Sequence, residues 1–127
     1  MSPPPLPPRA RVLIVDDDAA VRGACAVLLD MLGYGTTQAN SGREALAALR
    51  AQDAQVQLVM LDLEMPDMRG DEVLRALKRD RPELRVLLMS GNLRGEMSDY
   101  FAWGADGVLQ KPFNLAALGQ SVADATA

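Results

Sequence analysis

Three short apolar runs constrain this chain more than any other feature: Val12–Val15, Val56–Leu61 broken only by Gln57, and Val86–Met89. Each is too short for an ordinary helix and lacks apolar/polar alternation, the pattern of a strand covered on both faces and so of a parallel sheet. Between the runs the apolar spacing becomes helical. Val21, Cys25, Leu28, Leu29 and Leu32 make one such stripe, with Asp18 placed to cap it and Gly33 to end it. Ala45, Leu46 and Leu49 make a second, capped by Ser41 or Asn40. Val73, Leu74 and Leu77 make a third that runs out over Asp80–Pro82, because the residue ahead of a proline disfavours helix.

The remaining segments are weaker but fit the same alternation. Tyr34–Ala39 reads as a strand whose Thr36, Thr37 and Gln38 are too polar for the middle of a sheet, which places it at an edge. Gly107–Gln110 is a fifth, short strand. Met97, Tyr100 and Phe101 are expected on the buried side of a fourth helix closed by Gly104, and Asn114 caps a fifth carrying Leu115, Leu118 and Val122. Five strands alternating with five helices, joined by right-handed crossovers, predict an α/β fold with a parallel sheet covered on both faces.

At 127 residues the chain is expected to form one domain with a sizeable core. The domain is expected over residues 11–127. Residues 1–10, with Pro3, Pro4, Pro5, Pro7 and Pro8, read as a stiff linker, a frayed end or a proline-rich recognition tail. No apolar run approaches the ~20 residues of a membrane span, and the N-terminus lacks the apolar core of a signal peptide, so a cytoplasmic domain with no membrane partner is expected. The net charge of -4, with no Lys/Arg-rich run, argues against direct nucleic-acid binding. Cys25 is the single cysteine, which excludes an internal disulfide, and its spacing places it in the core. Histidine is absent. Chemistry that needs an imidazole must therefore borrow one from a partner.

Parallel strands all end on one side of their sheet, so the polar residues that terminate the strands converge without any assumption about function. They are Asp16 and Asp17, then Asp62, then Ser90, then Lys111. Two carboxylates ~4 Å apart repel by about 4 kcal/mol at an effective dielectric near 20, so such a cluster requires a cation. Oxygen ligands without histidine or cysteine select a hard divalent ion, and an incomplete shell completed by water suits magnesium better than calcium. Lys111 supplies a second, fixed positive charge. Singly, each residue has a plainer reading: Asp62 as the start of a turn completed by Pro66 and Gly70, Asp18 as a cap, Ser90 as a turn residue, Lys111 as a solvated strand end. The conjunction argues for a site.

The motifs VLIVDDD, LVMLDLEMPDMRG, VLLMSG and LQKPF, in that order, give the chain a resemblance to the receiver domain of two-component response regulators, from about Arg11 to the C-terminus. The resemblance implies a flavodoxin-like (βα)5 three-layer sandwich with a five-stranded sheet of order 2-1-3-4-5. It implies Asp62 as phosphoacceptor, Mg2+ held by Asp16, Asp17, Asp62 and the backbone carbonyl of Glu64, and Ser90 and Lys111 beside the phosphoryl group. A cis Lys111–Pro112 bond is implied as well. The donor would be a phosphohistidine on a histidine kinase or histidine phosphotransfer domain, in keeping with the missing imidazole. Signalling or relay would follow, with no enzymatic activity beyond the domain's own phosphorylation and dephosphorylation.

The MSG and LQKPF wording and the proline-rich start resemble receivers attached to hybrid histidine kinases. The chain stops just after the last helix, from which a stand-alone regulator or a receiver cut from a larger protein is expected, as a monomer or weak homodimer. Glu64 and Asn92, each two residues past a site residue, are expected to tune how long the phosphoryl group lasts. Val108 departs from the pattern, since many receivers carry a Tyr or Phe there and valine is small and stiff. Trp103 reads either as a partner-binding aromatic or as a ring folded over its helix edge. Two competing functions are weaker. Asp62-Leu63-Glu64 is similar to the Asp-x-Asp pair of haloacid-dehalogenase-like hydrolases, but those place further acids after the lysine. A flavin-binding module would need a Ser/Thr/Gly-rich loop where three aspartates stand.

Overall fold

The computed structural model describes residues 11–52, 56–91 and 97–126, with Gln52 and Met97 described by backbone alone. The proline-rich segment, Asn92 and the side chain of Met97 lie outside that description. Five strands alternate with five helices: β1 Arg11–Val15, α1 Ala19–Met31, β2 Gly35–Ala39, α2 Gly42–Gln52, β3 Val56–Asp62, α3 Gly70–Asp80, β4 Arg85–Ser90, α4 Met97–Ala102, β5 Gly107–Gln110 and α5 Leu115–Ala125. All pairings are parallel, in the order β2-β1-β3-β4-β5. This is the order implied above, with the polar strand β2 at the edge. Arg11 reaches across to that edge, donating from Nη1 to the carbonyl of Thr36 at 2.9 Å.

Strand alternation divides the core into two layers. Leu13, Val15, Val59, Leu61, Val86 and Leu88 face α2 and α3. Val12, Ile14, Leu58, Met60, Leu87 and Met89 face α1 and α5. Every apolar residue of the three long runs is buried, because a central parallel strand has helices above and below it. Burying one such side chain stabilises by about 1.5–3 kcal/mol.

Caps set the helix boundaries. Asp18 Oδ1 accepts the N–H groups of Ala20 at 2.9 Å and Val21 at 3.4 Å, and Gly33 leaves α1 at a φ of 91°. Of the two candidate caps for α2 it is Ser41 whose hydroxyl accepts the Glu44 N–H at 3.1 Å, while Asn40 donates its own N–H to the Glu44 carboxylate at 2.9 Å. The helices α2 and α3 approach closely, since a Cβ on Gly42 would stand 2.7 Å from Val73 Cγ2, and the start of α3 is as close to the residue after β3, since a Cβ on Gly70 would stand 2.5 Å from Leu63 Cδ2. At the opposite end of the sheet from the acidic strand tips, Asp106 accepts from Lys78 Nζ at 2.9 Å, Arg85 Nη1 at 3.3 Å and the Val86 N–H at 2.9 Å.

One expectation fails on the fourth helix. Phe101 is not on the buried side; it is 49% exposed. The helix has only six residues, and helical spacing from Tyr100 leads to Trp103 and not to its neighbour Phe101. Gly104, at a φ of 108°, turns the chain just beyond, and Trp103 packs with Tyr100 against the core layer of α2 and α3. The indole is folded against the domain: Tyr100 meets it edge-on at 5.5 Å, and the Arg75 guanidinium lies 3.9 Å from its ring centre. No helix among the described residues is long and apolar enough to cross a membrane.

Candidate functional site

Strand parity brings the charged residues together. Asp62 continues the series Leu58, Met60; Asp16 continues Val12, Ile14; Lys111 lies two beyond Leu109. All three therefore rise from the face that meets α1 and α5, at the carboxyl ends of neighbouring strands. The distances follow: Lys111 Nζ lies 2.7 Å from Asp16 Oδ2 and 3.4 Å from Asp62 Oδ1. Asp17, next to Asp16, is exposed. One carboxylate oxygen from each of Asp16, Asp17 and Asp62 lies within 4.8 Å of the other two, an arrangement among the described residues that could hold a metal ion. Three carboxylates with no nitrogen or sulfur donor suit a hard divalent cation, and the exposed Asp17 leaves the water side open.

Backbone groups fix these carboxylates. Asp16 is 1% exposed, and its Oδ1 accepts the Asp18 N–H at 2.9 Å. Its own N–H donates to the Ala39 carbonyl at 3.1 Å, and its carbonyl accepts from Arg22 Nη1 at 2.7 Å. Asp62 is 2% exposed and accepts the Glu64 N–H on Oδ1 at 3.1 Å. Ser90 is buried at the tip of β4, and its carbonyl accepts the Lys111 N–H at 2.8 Å, so the strand carrying the hydroxyl and the lysine are held in register. Glu64 sends its carboxylate to the Gly91 N–H at 2.9 Å. The Lys111–Pro112 bond is cis, as the resemblance implied.

Burial pushes the Asp62 carboxyl up to about 6, and the charges of Asp16 and Glu64 push the same way, against the Glu64 N–H and the Lys111 ammonium. Burial pulls Lys111 down, but its hydrogen bond to Asp16 and the charges of Asp62 and Asp16 win, so the ammonium is held above its ordinary range. The aliphatic stem of Lys111 borders an open, largely apolar pocket of about 450 Å³ lined by Val21, Cys25, Leu28 and Phe113 among others.

The structure thus gathers Asp16, Asp17, Asp62 and Lys111, with Ser90 on the adjoining strand tip and Glu64 on the adjoining turn. Two contacts were not foreseen. Arg22 anchors the loop between β1 and α1 through the Asp16 carbonyl; its place four residues after the cap Asp18 was the available signal. The Glu64 side chain bridges to Gly91 across the strand tips, a contact that sequence spacing alone does not encode.

Known proteins resemble this chain in sequence and in fold. The chain is 34% identical over 114 residues to the sensor kinase CckA of Brucella abortus, covering 89% of this chain and 12% of that protein. The solved chemotaxis protein CheY4 of Vibrio cholerae superposes with a TM-score of 0.83 at 33% identity, covering 91% of this chain and 98% of that one. A CheX–CheY–BeF3–Mg complex from Borrelia burgdorferi superposes with a TM-score of 0.86 at 26% identity, covering 89% of this chain and 86% of that one. The chain spans between 12% and 45% of the length of the curated relatives it matches. The sequence profile of the response regulator receiver domain matches residues 12–123, and the chain belongs to that family of two-component signalling domains.

Proposed function

We propose that Asp62 accepts a phosphoryl group from a phosphohistidine on a histidine kinase or histidine phosphotransfer domain, and that Mg2+ held by Asp16, Asp17 and Asp62 is required. The observation that carries this reading is the convergence of three carboxylates on one lysine, with Lys111 Nζ 2.7 Å from Asp16 and 3.4 Å from Asp62. A carboxylate oxygen of Asp62 forms the new O–P bond while the P–N bond to the donor imidazole breaks. The bonding pair leaves with the imidazole nitrogen, which takes a proton from solvent. In its ionised form Asp62 needs no base, so the task of the site is positioning and charge stabilisation. Lys111 neutralises charge on the transferred phosphoryl oxygens, and the Ser90 hydroxyl donates to one of them. Bound Mg2+ supplies the rest of that neutralisation. The Glu64 carbonyl is a further ligand in this reading. The Borrelia burgdorferi complex, which by its name holds BeF3 and Mg2+, supports the choice of metal.

The domain acts in the cytoplasm as a signalling phosphoacceptor, catalysing only its own phosphorylation and dephosphorylation. It binds neither nucleic acid nor membrane directly and is a monomer or weak homodimer. Residues 11–127 form the functional unit, and residues 1–10 are a proline-rich tail or linker. The test is intact-mass spectrometry after incubation with Mg2+ and acetyl phosphate. The parent gains one phosphoryl group that base removes; Asp62→Asn gains none, and EDTA abolishes the gain. A parent that stays unmodified, or an Asp62→Asn variant modified to the same extent, overturns the reading.

A further inference from the structure

Glu64 is fastened to the rim of the site at two points. Its N–H donates to Asp62 Oδ1 at 3.1 Å, and its Oε1 accepts the N–H of Gly91, the first residue past β4, at 2.9 Å. The first bond stays within the end of β3, and the second crosses the gap between the tips of β3 and β4. Glu64 and Gly91 are both exposed, so the bridge is not a core tie that the fold requires. Nor does it depend on crowding, since a Cβ on Gly91 would stand 3.8 Å from Glu64 Oε1, an ordinary contact. The Glu64 carboxylate also adds negative charge near Asp62, where the Lys111 ammonium is already shared with Asp16.

A phosphoryl group on Asp62 carries three strong acceptor oxygens. Asp62 pairs in register with Met89, so the backbone N–H of Gly91, next to Ser90, is a donor on the neighbouring strand tip for such a group. One N–H cannot serve a carboxylate and a phosphoryl oxygen at full strength together. We infer that Glu64 is a positioning residue that competes with the phosphoryl group: its carboxylate holds the Gly91 N–H in the unmodified domain and must release it before that N–H can bind the phosphoryl oxygens. The inference rests on Asp62 being the phosphoacceptor and adds a built-in opponent of that state. Glu64 lowers the affinity of the resting domain for a phosphoryl group through a hydrogen bond, over and above its charge.

The experiment compares the full chain with Glu64→Ala and Glu64→Gln, using the amide resonance of Gly91 and titration with beryllofluoride in the presence of Mg2+. A glutamine oxygen can still accept the Gly91 N–H without the charge; alanine can do neither. Before any beryllofluoride is added, the Gly91 resonance moves in Glu64→Ala and stays near the parent position in Glu64→Gln. Beryllofluoride then binds Glu64→Ala about fivefold more tightly than the parent, about 1 kcal/mol at 1.4 kcal/mol per tenfold. Glu64→Gln lies closer to the parent. Equal gains in the two variants assign the effect to charge alone and overturn the inference, as does an alanine variant with unchanged affinity or an unmoved Gly91 resonance. A parent that binds no beryllofluoride and takes no phosphoryl group from acetyl phosphate overturns the phosphoacceptor reading itself. The Gly91 resonance would then still respond to Glu64→Ala, which separates that failure from a missing contact.

Discussion

Burying Asp62 among other acids has an electrostatic cost that the Lys111 ammonium offsets only in part. The carboxyl is pushed up to about 6, first by burial and then by Asp16 and Glu64. Its folded value exceeds the unfolded one, so the native state binds the extra proton between about pH 4 and pH 6. Stability of the metal-free protein should therefore fall as pH rises through that window and stay lower above it. In EDTA at pH 7, urea melts should find Asp62→Asn more stable than the parent by on the order of 2–3 kcal/mol, with the difference closing near pH 4. A variant no more stable at pH 7 would contradict this. Cys25 gives a second test at this scale. Burial, first, and the charge of Asp16 push its thiol up to about 11, against Lys111, so at pH 8 a maleimide should label the unfolded chain and leave the native one unlabelled. The residues that converge at the site were legible because strand direction alone brings Asp16, Asp17, Asp62, Ser90 and Lys111 to one end of the sheet. Arg22 was not, because its role is to hold a backbone carbonyl, which residue type does not announce, and its place four residues after the cap Asp18 was the one signal on offer.

Elements show where pattern reading stops. Long buried strands declare themselves by unbroken apolar runs, and the edge strand β2 by its polar middle, so the sheet was readable almost residue by residue. The short helix α4 was not. Six residues contain too few turns for spacing to define a face, and the assignment of Phe101 to the core failed while Trp103, just past the helix end, took that place. Close crossings are equally silent in sequence. Gly70→Ala should drive a Cβ to 2.5 Å from Leu63 Cδ2 and 3.2 Å from its Cα, displacing the turn that carries Glu64. We expect a loss of about 1–3 kcal/mol by chemical denaturation, whereas Gly91→Ala, which meets ordinary contacts, should be close to neutral. At the other end of the sheet, Asp106→Ala should cost about 1–3 kcal/mol, because it takes the acceptor from the Val86 N–H and leaves the Lys78 ammonium with the Leu84 carbonyl but no counter-charge.

For the whole molecule, the two core layers share every central strand, so weakening one weakens both. Leu88→Ala, at a fully buried position, should lower stability by about 2–5 kcal/mol and still unfold in a single transition monitored by far-ultraviolet circular dichroism and fluorescence. Separate midpoints for the two probes would show that the layers melt independently. The stacking of Arg75 on Trp103 bears directly on such measurements. The chain has one tryptophan, and a cation lies 3.9 Å from its ring centre, at the seam between α3 and the turn after α4. Nature has in effect built an optical gauge into that seam: the indole's emission reports whether the guanidinium lid is on or off, and label-free fluorimetry can watch that one place without interference from any other chromophore of its kind.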